Sequence, residues 1–201
     1  MNAAVRNTSR LAAAALRALL VLTLATGVLY PLLVTGIAQA AFPGKADGSV
    51  VRSGGKEVGS TLIGQSWNDR DGGPARQWFQ PRPSAGKYDS LASGASNLAA
   101  TSPELRKQVE ARRTQVAAFN GVPRPAVPAD AVTASASGLD ADISPAYARL
   151  QADRVAEARG LDRAEVRELV GRHIEGRVAG FLGEPSVNVL ELNLGLRALH
   201  G

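Results

Sequence analysis

The sequence predicts an α+β chain: one N-terminal transmembrane helix followed by a single extracytoplasmic mixed α/β domain. Three observations carry that prediction. Residues 18–44 contain no charged side chain, while Arg6, Arg10 and Arg17 precede them and the first carboxylate is Asp47. The remainder alternates short extended pieces with capped helical segments, the mark of a mixed fold. With Cys at 0 and aromatic residues at 4%, that remainder has no disulfide and a modest core, so packing or partner subunits must hold it.

A hydrocarbon core of about 30 Å needs roughly 20 apolar residues in helical form. Residues 18–41 meet that length, and a helix satisfies its own backbone polar groups in lipid. Gly27 and Gly36 allow close approach of neighbouring helices, and Pro31 is expected to kink the span. The arginines on its amino side place residues 1–17 in the cytoplasm by the positive-inside rule, which leaves residues 42–201 outside. A cleaved signal peptide ending at Ala38-Gln39-Ala40 is the rival reading, after which a secreted binding protein would be released. The apolar run exceeds the roughly 7–15 residues of a signal core, so a retained anchor is expected.

The formal charge of +5 and pI near 10.1 look like those of a nucleic-acid binder. Setting aside the three arginines before the span leaves 20 basic against 18 acidic residues, a net of +2. That balance removes the electrostatic argument for nucleic acid.

Beyond the span, Val50-Val51 and residues 57–65 read as weak strands broken by glycine. Residues 68–74 form a polar turn region, Trp78-Phe79 a buried extended piece, and residues 82–100, rich in Ser, Gly, Ala and Asn, an ordered loop. Ser102-Pro103, with Thr101 and Glu104 in capping-box spacing, opens a helix to Phe119 that Asn120-Gly121 stops. Pro123, Pro125 and Pro128 make an extended connector. Ser144-Pro145 starts a helix ending at Gly160. Asp162 and Glu165 cap a second, whose Val166, Leu169, Val170, His173 and Ile174 share one face, giving a helical hairpin. Residues 187–193 follow as a final strand or extended segment.

Each chemical motif stands beside a plainer reading. Residues 59–66 copy P-loop spacing, but Gln65 stands where the phosphate-binding lysine belongs, so glycine bends beside a buried strand are expected instead. Ser84-Ala85-Gly86-Lys87 matches the S-x-x-K pattern of serine acyl hydrolases, in which lysine activates the hydroxyl. Without the companion Lys-Thr-Gly or Ser-Asp-Asn patterns, a turn serine near a solvated lysine is the better reading. His173 and His200 are the only histidines, and with no cysteine a zinc site would need carboxylates around one of them. A hydrogen-bonded, packed His173 is expected. The hairpin could pass for a DNA-reading helix-turn-helix, but Asp162, Glu165, Glu168 and Glu175 would repel phosphate.

Six blocks in order along nearly the whole chain carry a family resemblance: Tyr30-Pro31 through Gln39, Gly59 to Gln65, Arg82-Pro83-Ser84-Ala85, Ser93 to Leu98, Ser135 to Asp140, and Gly183 to Asn193. Together they resemble the C subunit of the bacterial Kdp potassium-transporting P-type ATPase. Small departures fall at Ala95 and Ala136, where the family carries glycine, and at Ala141-Asp142, where it carries Pro-His. The resemblance implies a non-catalytic accessory subunit with one membrane helix in the cell membrane. Its partners would be a channel-like A subunit that selects potassium, a P-type B subunit that hydrolyses ATP, and a small F subunit. No cofactor is then bound directly, ATP and potassium belonging to the complex. A loop likened to an ABC signature, here Ser93 to Asn97, has been proposed to tune ATP affinity. From outside the membrane such tuning must act through conformational equilibria. Ser84, Ser96, Asn97 and Asp140, polar and in loops, are the candidate face toward the potassium entrance or the partner.

Overall fold

The computed structural model describes the backbone of residues 3–199 and side chains from Asn7 onward. It is mixed helix and strand, and forms two compact units, Met1–Ser49 and Val50–Gly201. His200 lies outside the described residues.

The first unit is dominated by one continuous helix: α1 (Ala3–Leu24), a π-helical stretch (Ala25–Leu29) and α2 (Tyr30–Ala41). Its Asn7–Ala41 stretch, 35 residues, is long and apolar enough to cross a membrane. Leu20, Leu24, Leu29, Leu32 and Ile37 all stand exposed along it. The disturbance expected at Pro31 takes the form of the π stretch just before it. Pro31 has no N–H, and its ring would crowd the carbonyl four residues back. Widening the preceding turn relieves this, and the Tyr30 N–H donates to the Ala25 carbonyl, five residues back. After Phe42, a one-turn α3 (Pro43–Ala46) closes the unit, with the Gln39 side-chain amide donating to Asp47 at 2.8 Å.

The second unit opens with an antiparallel hairpin of β1 (Val50–Ser53) and β2 (Lys56–Ser60). Gly54 and Gly55, both at positive φ, supply its two-residue turn. The strand expected to reach Gln65 stops at Ser60, whose hydroxyl accepts the Leu62 N–H at 3.1 Å and bends the chain out of the ladder. Leu62 and Ile63 are therefore exposed, where a buried strand was expected.

Helix α4 (Pro103–Asn120) is capped by Ser102, whose hydroxyl accepts the Leu105 N–H, in place of the Thr101–Glu104 box. Gly121, at φ 66°, ends it in the left-handed region that suits glycine. The proline connector is not continuously extended. Pro123 and Pro128 are, but each leads into a 3₁₀ turn, Arg124–Ala126 and Ala129–Ala131, because a proline just before or inside a first turn forfeits no hydrogen bond.

The expected helical hairpin is present as α5 (Pro145–Arg159) and α6 (Arg163–Arg172), capped by Ser144 and Asp162. Three short strands, β3 (Asp142–Ile143), β4 (Ile174–Glu175) and β5 (Ser186–Asn188), form an antiparallel sheet with β5 central. The final strand expected over residues 187–193 ends at Asn188 and gives way to α7 (Val189–Ala198). Asn188 is the switch: its side-chain oxygen accepts the Glu191 N–H at 3.2 Å, an N-cap in place of a ladder. Val189, Leu192, Asn193 and Leu196 are buried at helical spacing, a period hidden by the alternation around it.

The core joins Phe79, Val132, Ile143, Val155, Val166, Val170, Val187, Leu192 and Leu196. Ala148, Ala152 and Ala156 give α5 a small-residue face within it. Phe79-Gln80 threads this core without a strand partner, and two side-chain amides replace one. Asn193 exchanges hydrogen bonds with the Phe79 N–H and carbonyl at 2.9 and 3.0 Å, and Gln151 does so with Gln80 at 2.7 and 3.0 Å. All four buried backbone groups are thereby satisfied. Beside them Arg154, 2% exposed, donates to the carbonyls of Arg76 and Trp78, to Gln151 and to Asn120, and stacks over Phe119 at 4.5 Å. Burial pulls its pKa down to about 10.

Candidate functional site

Three loop segments meet in the second unit: residues 60–64 after β2, residues 82–94, and residues 135–142 leading into β3. The last is held from both sides. Gly64 N–H donates to Leu139 at 2.8 Å, while Gly94 N–H and the Ser93 hydroxyl donate to the Ser137 carbonyl at 2.9 and 3.0 Å. Close approach depends on two glycines. A Cβ at Gly64 would sit 2.4 Å from the Asp140 carbonyl oxygen, and one at Gly138, itself at φ +69°, would sit 2.7 Å from that of Gly94.

Two of the four candidate face residues come together here. Ser84 donates to the Gly138 carbonyl at 2.7 Å and accepts the Tyr88 N–H at 3.0 Å. Asp140 pairs with Arg82 at 2.7 Å, with the two side chains 31% and 25% exposed. Its other oxygen accepts the Asp142 N–H at 3.1 Å. Both residues therefore hold the loops to each other. Ser96 and Asn97 lie apart on the exposed stretch that follows, Asn97 in the left-handed region at φ 53°. Neither makes a side-chain hydrogen bond to another described residue. Gly27, Pro31 and Gly36 belong to the other unit. A Cβ at Gly27 would meet only Thr23 at 3.9 Å and one at Gly36 nothing within 4 Å, so these glycines leave shallow notches in the helix surface.

The sequence analysis named Arg82 only within a family block and did not single out Tyr88, Arg112 or Tyr147, all of which shape the surroundings. The Tyr88 hydroxyl donates to the Arg82 carbonyl at 2.7 Å. Burial, reinforced by Asp140, raises its pKa well above the usual phenol value. Arg112 donates to the Val132 carbonyl at 3.2 Å. Tyr147, 4% exposed, has its pKa pushed up to about 12 by burial. A cleft of about 520 Å³ runs beside Arg82, Ser84 and Tyr88, and a shallower one of about 770 Å³ follows residues 61–63 and 134–142. The pairing of an Arg-Pro-Ser segment with an aspartate 58 residues later is invisible in sequence, since no periodicity links loops.

The other motifs resolve locally. The Ser84 proton is committed to a carbonyl, and no hydrogen bond joins Ser84 to the exposed Lys87, so the S-x-x-K pair does not form an activated nucleophile. Gln65 donates to the Val58 carbonyl at 2.9 Å, bracing the turn after β2. His173 is half-buried at the end of α6, with Nδ1 2.9 Å from the Leu169 carbonyl oxygen. The residues Ala38-Gln39-Ala40 lie within α2.

Residues 12–198 match the family described as KdpC, the K+-transporting ATPase, c chain. The chain is also similar to proteins named Potassium-transporting ATPase KdpC subunit. That of Streptomyces coelicolor is 51% identical over 215 residues, covering 98% of this chain and 96% of the relative. That of Kineococcus radiotolerans is 52% identical over 200 residues, covering 98% of each. That of Sorangium cellulosum is 54% identical over 185 residues, covering 90% of this chain and 94% of the relative.

Proposed function

The chain belongs to the KdpC family, the c chain of the K+-transporting ATPase, and from that premise we propose that it anchors and organises the pump from outside the membrane. It is an accessory subunit, with ATP hydrolysis on another subunit. Residues 18–41 cross the membrane once, the N-terminus stays cytoplasmic, and residues 42–201 stand outside. The partners are the potassium-selecting A subunit, the ATP-hydrolysing B subunit and the small F subunit. The chain supports their assembly and potassium transport and modulates ATP use, itself binding neither ATP nor potassium directly.

One observation carries this reading: the Asn7–Ala41 helix is long and apolar, and none of its residues is buried. Such a surface needs lipid or other membrane helices around it. Gly27 and Gly36 favour the latter by admitting a neighbouring backbone, with Pro31 and the π stretch shaping the helix between them. Modulation of ATP use then acts by shifting the pump's conformational equilibrium. Within the outer unit, Ser84 and Asp140 hold the loop cluster, and Ser96 and Asn97 form its exposed edge toward the A subunit's potassium entrance.

The test is a paired Ser96→Ala, Asn97→Ala substitution in the assembled pump. Weakened co-purification, or altered potassium affinity or ATPase kinetics, is expected. Unchanged assembly, affinity and kinetics would remove these residues from the partner face. Calorimetry of the isolated chain with ATP is expected to give no saturable binding.

A further inference from the structure

The cleft of about 520 Å³ has the size of a small-molecule site. Its charge is one-sided. Arg82, Lys87 and Arg112 line it, and none of its lining residues is acidic. The neighbouring carboxylates are engaged elsewhere. Asp140 is paired with Arg82, Asp130 accepts the Ser144 N–H and hydroxyl, and an oxygen of Asp69 accepts the Asp71 and Gly73 N–H groups. Arg112 and the exposed Lys87 make no ion pair with a described residue, and the nearby Asp130 and Asp69, which keep their charge, do not line the cleft. The buried Arg154 guanidinium, which has no carboxylate partner, stacks on the Phe119 ring that forms part of the cleft wall.

The cleft also contains unused donors. Tyr147 is 4% exposed and lines the cleft, yet its hydroxyl makes no hydrogen bond to any described residue. The phenol is held inside the fold while its oxygen still reaches the cleft, where a ligand acceptor can take the place of water. The Arg82 Nε–H, by contrast, is buried and without a partner. Pro81, Pro83, Val116 and Phe119 supply apolar walls between these polar groups.

We propose that this cleft binds a phosphoryl oxyanion, held by Tyr147, Arg112 and Lys87, with an apolar body lying along the proline and phenylalanine wall. Two cations without an ion-pair partner match a phosphodiester or a single phosphate; a triphosphate would leave unmatched negative charge. The chemistry is shared by free phosphate and by the headgroup of an anionic phospholipid. The site lies within one unit and stands whether or not the orientation proposed above holds.

The experiment is calorimetric titration of the full chain in neutral detergent with inorganic phosphate, with dihexanoyl phosphatidylglycerol and with its phosphatidylcholine counterpart. Saturable, salt-sensitive binding of phosphate or phosphatidylglycerol is expected. Binding of phosphate alone identifies a free-anion site, and binding of phosphatidylglycerol alone a headgroup site. Mutual competition shows that both enter it. Tyr147→Phe should weaken binding about tenfold, the loss of one hydrogen bond to a charged group, without lowering the melting temperature, because its hydroxyl has no partner to lose. The exposed Lys87→Ala should weaken it about threefold. Saturation by neither anion, equal affinity for phosphatidylcholine, or unchanged affinity in both variants would overturn the proposal.

Discussion

The two units solve burial in opposite ways. The Asn7–Ala41 helix pairs its backbone within itself except around Pro31 and leaves its leucines outward, so its stability in place depends on what surrounds it. The Val50–Gly201 unit packs a buried apolar core, but short strands and long loops leave backbone groups that secondary structure does not pair, and buried Asn193, Gln151 and Arg154 satisfy them. One unit therefore answers to its solvent and the other to a few polar side chains. A mutation that is silent in one should be severe in the other.

The largest expected effect breaks the second unit from within. Gln151→Leu strips the Gln80 N–H and carbonyl of partners and removes an acceptor from Arg154, and should cost about 3 kcal/mol or more in a urea titration. A cost below about 1 kcal/mol would mean the amide clamp is dispensable.

Next, a charge in the first unit should act on location alone. Leu29→Arg should cost about 2.5–3.5 kcal/mol of membrane insertion. It should release the chain on alkaline extraction while leaving the urea midpoint of the second unit unchanged. A shifted midpoint would show that the two units are not energetically separate.

Alkaline pH sharpens the contrast further. The Tyr88 and Tyr147 phenols are raised above their unfolded value near 10, Tyr147 to about 12. In the unfolded chain they release protons first, so their contribution is complete below pH 10 and is lost as pH rises toward the folded values. Ultraviolet titration should find these phenols protonated until the second unit unfolds. Arg154, lowered to about 10, acts in the opposite direction, gaining relief above that pH.

The smallest effect is expected at the Arg82–Asp140 pair. Its partial exposure lets solvent screen it, and a double-mutant cycle should return about 0.5–1 kcal/mol. A coupling above about 2 kcal/mol would place this pair among the internal polar supports.

The membrane helix and the α5–α6 hairpin were legible because length, charge and a 3.6 period are local properties. Caps were legible for the same reason, though Ser102 took the place of Thr101 because proline after it fixed the helix start. The end of the chain misled: Val187 through Asn193 alternates like a strand, and only the capping amide of Asn188 turns it into a helix. Ser60 shortened the second strand by an equally local hydrogen bond that composition does not announce. In the loop cluster, Ser84 and Asp140 were legible as polar loop residues. Their pairings with Gly138 and Arg82 were not, because those contacts span more than 50 residues and obey no spacing rule. Tyr147 stayed hidden inside an ordinary helical pattern.

The central claim is a single crossing that leaves the second unit outside the cytoplasm. Alkaline phosphatase, which is active only after export, and a green fluorescent protein, which matures only in the cytoplasm, can each be fused after Gly201. Phosphatase activity with a dark fluorescent fusion is the result predicted here; a bright fluorescent fusion with inactive phosphatase would contradict it.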